Sequence, residues 1–309
     1  MRILVAIPVF NEERYLIPVM REIRKYSRAA AKALGADMSI LVVNDGSTDN
    51  TPAVLGDMAA RGQVHLLTHP ENRGYGQSLI DAFRFAEAHN FDWVITMDCD
   101  EQHEPCRIPL FVRQCLRAET AGAEAPDIIS GSRYLKGPAV APTPSSAGLN
   151  SDSTDESVPP PDRRNINRFM TDLLNSTLDL NVLPPAAGCP ELRDFDGGQE
   201  ARVTSIPRGI TDAFCGFKAH RVAAMQRMQL TIPGYAFPMQ FWAQAAALGL
   251  VIREMPVKLI YKDATRHFGG MLDDPSIRLQ HYLEVLTDEI RATREQLEPA
   301  GYAAECVCE

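Results

Sequence analysis

The first half of the chain alternates short apolar runs with segments of helical periodicity. Four runs, RILVAIPV, MSILVVN, VHLLTH and DWVITMD, are mostly apolar, and a fifth, DIISGSRY, follows them. Such runs are typical of strands that are buried on both faces. Between them, residues 12–34, 49–58 and 76–89 repeat apolar positions every three or four residues, which predicts helices. The alternation predicts an α/β fold, Rossmann-like, with a mostly parallel central sheet and helices on both faces.

The second half of the chain has fewer periodic segments. Residues 163–180 are predicted to form a helix with Asp162 as its N-cap, and a last helix is predicted from about Pro275 to Leu297. Between them, TDAFCGFKAHRVAAM resumes a regular pattern and LVIREMPVKLIY is strand-like. The helix over 163–180 carries an apolar stripe: Ile166, Phe169, Met170, Leu173, Leu174 and Leu178.

Two irregular stretches interrupt this second half. The first, at about 138–162, is rich in Pro, Ser and acids, and the second, at about 183–208, carries Pro and Gly pairs. Such compositions cannot bury much apolar surface, so both are expected to be insertions without a packed core. We therefore expect one domain over residues 1–262, with a C-terminal loop and helix over 263–309 packed on it.

Polar clusters follow three of the predicted strands: FNEE, NDGSTDN and DCDEQH. The carboxyl ends of parallel strands meet at one edge of a sheet, and ligands bind there. The first cluster lacks the glycines of a dinucleotide-binding loop, which argues against NAD or FAD. Asp45 in the second cluster offers a carboxylate to a base or ribose, although Asn-Asp-Gly-Ser is also ordinary turn chemistry.

Composition narrows the class of protein further. The 309 residues are 45% hydrophobic, enough for a sizeable core, and no apolar run approaches the roughly 20 residues that span a bilayer. The apolar N-terminal run is soon broken by Pro8 and Asn11, so we expect a buried strand and no signal peptide. Seven cysteines without an export signal indicate free thiols in the cytoplasm. A net charge of −9 argues against nucleic-acid binding.

The segment WVITMDCDEQHEPC contains two overlapping sets of candidate metal ligands. Oxygen ligands suited to Mg²⁺ or Mn²⁺ come from Asp98, Asp100 and Gln102, and softer ligands suited to Zn²⁺ come from Cys99, His103 and Cys106. On a strand, residues i and i+2 project to the same face, so both aspartates would converge while Cys99 turns inward. The cysteine spacing matches no usual zinc pattern. The oxygen set is therefore favoured, with an acidic loop that caps the next helix as the alternative.

In order, the motifs IPVFNEE, VVNDGSTDNT, ENRGYGQSL, MDCDEQH, GSRY and TDAFCGFKA resemble the inverting family 2 glycosyltransferases, which have a GT-A fold. Within that family they are most similar to the dolichyl- or polyprenyl-phosphate sugar synthases. The resemblance covers about residues 1–137 and 209–262. It implies a metal-dependent enzyme, with Mg²⁺ or Mn²⁺, that moves a sugar from a UDP- or GDP-sugar to an acceptor, a polyprenyl phosphate.

The resemblance also implies roles for individual residues. The donor would be bound by Pro8, Phe10, Asn11, Glu12, Asp45, Gly74, Asp98 and Arg133. The metal would be held by Asp98, Asp100 and Gln102, and the catalytic residues would be Asp212 and Arg133. The acceptor phosphate would meet Lys218, Lys262, Arg266 and His267, the last three in a segment that resembles the family's mobile acceptor loop.

One departure from the family pattern bears on the acceptor. The segment GYAFPMQFW carries Gln240 where many enzymes with hydroxyl acceptors have an acidic general base. A phosphate acceptor is already anionic and needs no base, so this favours a polyprenyl phosphate, unless Asp212 is the base. The alternatives are a hydroxyl acceptor on a saccharide, protein or small molecule, and an inactive nucleotide-sugar-binding protein in which Gln240 and Cys215 mark the loss of activity.

The helix over 163–180 has two interpretations. With Arg163, Arg164 and Arg168 at its head, it would contact a membrane surface, which implies a peripheral protein at the cytoplasmic face. As an ordinary amphipathic helix, it would pack its apolar stripe on the core of the domain.

Overall fold

The computed structural model describes residues 1–122, 125–135, 159–184, 209–261 and 268–297. The strands are β1 (Arg2–Val9), β2 (Asp37–Asn44), β3 (His65–Thr68), β4 (Trp93–Thr96), β5 (Ile128–Ser132), β6 (Asn181–Leu183), β7 (Lys218–Arg221) and β8 (Val251–Pro256). The helices are α1 (Glu13–Leu34), α2 (Thr51–Ala60), α3 (Tyr75–Ala88), α4 (Ile108–Ala118), α5 (Pro161–Thr177), α6 (Val222–Met225), α7 (Phe237–Ala247) and α8 (Pro275–Leu297). Short 3₁₀ turns cover Pro105–Arg107 and Gly270–Asp273.

The described strands form one sheet in the order β3-β2-β1-β4-β7-β5-β8-β6. Strand β1 pairs in parallel with β2 and β4, and β8 pairs in parallel with β5 and β6. Strand β7 is antiparallel to both of its neighbours, β4 and β5. The parallel pairing brings the loops that follow β1, β2 and β4 to one edge of the sheet, which positions the site.

The sheet has an apolar layer on each face because its strands alternate. Along β1, Leu4 and Ala6 pack in the layer with α3, α5, α7 and α8, whereas Ile3, Val5 and Ile7 pack in the layer with α1, α2 and α4. These five side chains are fully buried, as a continuous apolar run predicts. The predicted α/β fold, mostly parallel with helices on both faces, is confirmed.

Several predicted details are wrong. Strand β4 ends at Thr96, so Asp98 lies beyond the strand and not within it. The N-cap of α5 is Pro160, and Asp162 lies in the first turn of the helix. Strands β6 and β7 were not predicted, because three- and four-residue strands leave too short a pattern to separate from a loop.

The helix α5 packs on the core as an amphipathic helix. Three members of its predicted stripe, Ile166, Met170 and Leu174, are buried, whereas Phe169 is 49% exposed. Of the two predicted insertions, residues 138–158 and 185–208 lie outside the described residues. None of the described helices combines the length and apolarity needed to cross a membrane.

Candidate active site

A cleft of about 540 Å³ opens where the loops after β1, β2 and β4 meet the end of β5 and the N-terminal parts of α5 and α8. Of the residues predicted to form the site, it is lined by Pro8, Phe10, Glu12, Asp45, Gly74, Asp98, Asp100, Gln102 and Arg133. The structure therefore gathers residues spread over more than a hundred positions into one cleft.

Asn11 belongs to the first loop but does not line this cleft. Its side-chain Oδ1 accepts hydrogen bonds from the N–H groups of Thr48, at 2.8 Å, and Asp49, at 3.3 Å. Its φ of 54° lies in the left-handed region, which asparagine tolerates better than most residues. Asn11 therefore holds the loop after β1 against the loop after β2, and supports this side of the cleft from behind.

Asp45 lines the cleft, but both of its carboxylate oxygens are engaged by the protein. The backbone N–H of Arg73 donates to Oδ1 at 2.8 Å and that of Gly74 donates to Oδ2 at 2.9 Å. The ring Nδ1 of His69 lies 2.6 Å from Oδ1. Asp45 thus holds the loop that leads into α3.

Gly74 begins this helix at a point of close backbone approach. Its φ is 99°, and a Cβ atom there would lie 2.4 Å from the Pro233 carbonyl oxygen. Only glycine fits both conditions without strain. The cleft wall at this point is therefore backbone rather than side chain.

The loop after β4 brings Asp98, Asp100 and Gln102 to the cleft by folding back rather than by strand alternation. Glu101 has a φ of 60°, and the N–H of Gln102 donates to Asp100 Oδ1 at 3.0 Å. The alternation argument was wrong at this point because the strand had already ended. Its conclusion about Cys99 holds, since that residue is buried in the core layer with α1 and α4.

The oxygen set fits a hard divalent cation. Asp98 Oδ1 is buried and has no hydrogen-bond partner among the described residues, and an anionic oxygen left in that state is costly unless a cation meets it. His103 uses Nδ1 to accept from the Asp98 N–H at 3.0 Å, which turns that nitrogen away from a zinc site. Nowhere in the described chain do three or more His, Cys, Asp and Glu residues form a metal-binding group, so a site here rests on two carboxylates and an amide.

Tyr75 is a neighbour of Asp98 that the sequence did not single out. A Cβ atom on Gly216 would lie 2.8 Å from both Asp98 Oδ2 and Tyr75 Oη, so the two groups share one small space. Burial, and then the Asp98 charge, raise the pKa of Tyr75 well above its ordinary value. The tyrosine ring stacks on Tyr235 with centroids 6.0 Å apart. Tyr75 therefore presents a protonated phenol beside the predicted metal ligand.

Arg133 and Asp212 form a bidentate ion pair. Arg133 Nε donates to Oδ2 of Asp212 at 2.7 Å, and an Nη donates to Oδ1 at 2.9 Å. Asp212 is fully buried and also accepts from Asn167 at 3.0 Å. Burial would raise the pKa of Asp212, but the Arg133 charge and hydrogen bonds outweigh it and lower the pKa to about 2.

This pairing separates the two residues predicted as catalytic. Arg133 lines the cleft, whereas Asp212 lies behind it and does not. A carboxylate with so low a pKa and with its oxygens taken is a poor general base. Its bidentate contact instead fixes the orientation of the Arg133 guanidinium.

Of the predicted acceptor ligands, Lys218 alone lies in the described part of the chain. Lys218 is buried in β7, donates from Nζ to the Cys215 carbonyl and lies 5.5 Å from the Trp242 ring, apart from the cleft lining. Lys262, Arg266 and His267 lie outside the described residues.

Gln240 lies at the position where many enzymes with hydroxyl acceptors have an acidic general base, but its contacts here are structural. It is buried, and its Oε1 accepts from the N–H groups of Thr231, at 2.7 Å, and Ile232, at 3.0 Å. Gln240 therefore does not supply a group to the cleft.

A cationic and aromatic wall closes the far side of the cleft. Arg163 on α5 lies 4.6 Å from the Phe268 ring, and Arg278 on α8 lies 4.3 Å from the same ring. Arg278 also donates to Asp162 Oδ2 at 2.5 Å, which ties the two helices together. Sequence analysis placed Arg163 at the head of a helix but did not predict its contact with Phe268 or the nearby Arg278, because α5 and α8 lie about a hundred residues apart.

Comparison with known proteins agrees with the motifs. Residues 4–162 match the model of glycosyl transferase family 2. Undecaprenyl-phosphate 4-deoxy-4-formamido-L-arabinose transferase of Enterobacter sp. (strain 638) is 35% identical over 111 residues, which cover 36% of this chain and 32% of the relative. The enzyme of the same name from Pectobacterium carotovorum subsp. carotovorum (strain PC1) is 38% identical over 108 residues, 35% of this chain and 32% of the relative. The match spans about a third of the length of these curated relatives.

Two solved structures share the fold at low identity. Mannosyl-3-phosphoglycerate synthase from Rubrobacter xylanophilus has a TM-score of 0.55 and 13% identity, over 98% of this chain and 78% of the other. Glucosyl-3-phosphoglycerate synthase from Mycobacterium tuberculosis, in complex with Mn²⁺, UDP and phosphoglyceric acid, has a TM-score of 0.51 and 16% identity, over 93% and 78%. The fold is the GT-A fold of these glycosyltransferases. Because the family model covers more than half of the 309 residues, the chain belongs to glycosyl transferase family 2.

Proposed function

We propose that this protein is an inverting glycosyltransferase that moves a sugar from a nucleotide-diphospho-sugar to a polyprenyl phosphate and requires Mg²⁺ or Mn²⁺. The observation that carries the proposal is the convergence of the first loop, the Asp98–Gln102 loop and Arg133 on one cleft. Family membership supports the transfer of a sugar. The names of the curated relatives support an undecaprenyl-type phosphate as the acceptor.

The donor side of the cleft is built by the loops after β1, β2 and β4. Pro8, Phe10 and Glu12 form the wall that would take the nucleoside, and Asp45 keeps the facing backbone at Gly74 in place. The metal would be held by Asp98, Asp100 and Gln102. When bound, such an ion neutralises charge on the diphosphate leaving group.

Arg133 is the cation best placed to meet phosphate oxygens. Its bidentate pair with Asp212 fixes the plane of the guanidinium, while its exposed edge lines the cleft. A guanidinium whose orientation is already fixed loses little conformational entropy when it binds an anion. The acceptor phosphate would attack the anomeric carbon from the face opposite the nucleotide diphosphate, which inverts its configuration.

The acids of the cleft favour a phosphate acceptor over a hydroxyl. Those that line its described part are Glu12, Asp45, Asp98 and Asp100. Two are assigned to the metal, Asp45 holds backbone N–H groups, and Glu12 belongs to the nucleoside wall. Among the described residues no carboxylate is then left to deprotonate a hydroxyl, and an anionic phosphate needs no such base.

A polyprenyl acceptor would place the enzyme at a membrane surface, and a nucleotide-sugar donor would place it on the cytoplasmic side. Apolar side chains exposed near the wall of the cleft support a peripheral contact: Phe169 on α5, with Met271 and Ile277 before and at the start of α8.

The first experiment measures thermal stabilisation by a panel of UDP- and GDP-sugars, with and without Mn²⁺. Wild-type protein is expected to be stabilised by one nucleotide class, and more so with the metal. Asp98→Ala should lose the metal-dependent part and reduce sugar transfer by roughly 100-fold or more. Asp57→Ala, an exposed carboxylate on α2 paired with Arg61, is the matched control and should behave as wild type.

The second experiment compares polyprenyl phosphate with soluble hydroxyl acceptors in a transfer assay. Transfer to the lipid phosphate alone is expected. Transfer only to hydroxyls would overturn the acceptor, and donor binding without any product would indicate an inactive nucleotide-sugar-binding protein. Undiminished transfer by Asp98→Ala would overturn the metal mechanism.

A further inference from the structure

His69 lies between two carboxylates beneath the donor side of the cleft. It directly follows β3 and is almost fully buried. Its ring Nδ1 lies 2.6 Å from Asp45 Oδ1, and its Nε2 lies 3.1 Å from Asp81 Oδ2 on α3. Both ring nitrogens therefore face an acceptor.

With Asp45 and Asp81 both ionised, this arrangement is satisfied only when each ring nitrogen carries a proton. A neutral imidazole carries one N–H, so it can donate to one carboxylate while it presents a lone pair to the other. Only the imidazolium ion donates to both carboxylates. An imidazolium between Asp45 and Asp81 is also favourable in charge, because a buried carboxylate is costly unless a cation accompanies it.

The other charged groups around the imidazole are arginines bound to Asp81. Arg84 donates to Asp81 Oδ1 at 3.0 Å, and an Nη of Arg73 lies 3.8 Å from Asp81 Oδ2. The neutral amide of Gln77 also donates to Asp81 Oδ2 at 2.9 Å. These groups saturate Asp81, whereas Asp45 meets the imidazole of His69 and the backbone N–H groups of Arg73 and Gly74.

Asp45 transmits the state of His69 to the cleft. Its oxygens accept from the backbone N–H groups of Arg73 and Gly74, and Gly74 forms part of the cleft wall. We propose that His69 is a positioning residue of the donor site, which acts as an imidazolium bridge between Asp45 and Asp81 and so holds the Gly74 wall in place for the donor. This inference rests on the proposed function for its consequence, but not for the protonation state of the ring.

The protonation state can be measured directly on the whole protein. Long-range ¹H–¹⁵N NMR spectra of the imidazoles, with His69→Gln used for assignment, report whether one or both ring nitrogens carry a proton. Both are expected to be protonated at pH 6.5. A single-proton tautomer at pH 6.5 overturns the proposal, whatever the protein binds.

The consequence is measured at pH 6.5, in Mn²⁺, as the Kd of the nucleotide-sugar that stabilises the wild-type protein. We expect His69→Gln to raise this Kd by about tenfold, because one charge-assisted hydrogen bond to Asp45 is lost.

Asp81→Asn is the variant that separates this bridge from a merely structural histidine. Its amide N–H can donate to the lone pair of a neutral imidazole, so both hydrogen bonds persist without the second proton. Its Kd should therefore stay within about twofold of the wild-type value at pH 6.5. His65→Gln, at an exposed histidine that begins β3, should keep the wild-type Kd.

The outcomes separate the two hypotheses. If wild-type protein binds a donor and His69→Gln binds it with the wild-type Kd, the role of His69 is overturned while the proposed function stands. If no nucleotide-sugar binds, the proposed function fails, and the NMR result alone decides whether the imidazolium exists.

Discussion

Gly216 allows the chain before β7 to pass directly against the Asp98 carboxylate and the Tyr75 hydroxyl. A methyl group on Gly216 would lie 2.8 Å from both side chains, so one of them must move. We expect Gly216→Ala to weaken Mn²⁺-dependent sugar transfer by roughly 10- to 100-fold and to lower the free energy of unfolding by about 1–3 kcal/mol, as overpacking does. Steady-state kinetics in a Mn²⁺ titration and urea unfolding measure the two effects.

Gly56→Ala on α2 is the control for this substitution. A Cβ atom there meets nothing within 4 Å, and alanine is preferred over glycine in a helix by about 1 kcal/mol. It should leave transfer unchanged and raise stability slightly. A Gly216→Ala enzyme with the wild-type response to Mn²⁺ would mean that Asp98 does not act at this position.

Arg133 and Asp212 are expected to act as one unit. If Asp212 only positions the guanidinium, its removal lowers activity only because Arg133 is then misplaced. Arg133→Gln and Asp212→Asn should each lower kcat/KM by about 100-fold, and the double variant should be no worse than Arg133→Gln alone. Multiplicative losses in the double variant would instead give Asp212 an independent role, such as the general base.

The sequence located site residues better than it assigned their partners. Asp98, Asp100 and Arg133 lie in motifs whose residue types and strand-end positions carry the prediction. The motif around Asp45 shows a carboxylate but not that His69 and two backbone N–H groups engage it. The atoms that remain available to a ligand are those that tertiary neighbours leave unengaged. The order of residues along the chain does not show these neighbours.

At the scale of elements, long periodic segments were predictable and short inserted ones were not. The helix α1 and the strand β1 follow from patterns of 22 and 8 residues. Strand β7 has 4 residues, and it enters the sheet antiparallel between β4 and β5. Its place is set by backbone pairing with strands that lie far away in the chain, and β7 carries Lys218 into the core instead of the cleft.

The junction of α5 with α8 depends on Arg278. Its guanidinium is 2% exposed and donates to Asp162 Oδ2 at 2.5 Å and to the Leu272 carbonyl at 2.8 Å. Arg278→Leu should lower the free energy of unfolding by about 2 kcal/mol, since Asp162 is partly exposed and can regain water. Hydrogen exchange should increase at the start of α8, together with urea sensitivity.

Arg291→Leu on the same helix is the matched control. Arg291 is exposed and lies 3.5 Å from Asp288, so its loss should change stability by less than about 0.5 kcal/mol. Equal effects of the two substitutions would show that the buried pair does not join the helices.

At the scale of the whole molecule, Glu254 makes stability depend on pH. Its carboxylate is buried on β8 and accepts from Thr211 N–H at 2.8 Å, from Thr211 Oγ1 at 2.7 Å and from Asp212 N–H at 3.3 Å. Burial raises the pKa of Glu254 from 4.5 to about 6, and the hydrogen bonds from Thr211 offset only part of that shift. The folded protein therefore holds this proton more tightly than the unfolded chain does.

The sign of the effect follows from that difference. The contribution of Glu254 to stability is complete below pH 4.5 and is lost as the pH rises through about 6. Glu254→Gln keeps an acceptor for the two N–H groups and cannot ionise. Relative to wild type, it should gain about 2 kcal/mol of unfolding free energy between pH 4.5 and pH 7, at 1.36 kcal/mol per unit of pKa. Urea unfolding of both proteins across this range measures the gain.

Buried His220, whose pKa is lowered to about 3, makes stability change with pH in the opposite direction in both proteins, so its contribution cancels in the difference. A difference that does not change with pH would mean that folding leaves the pKa of Glu254 at its unfolded value.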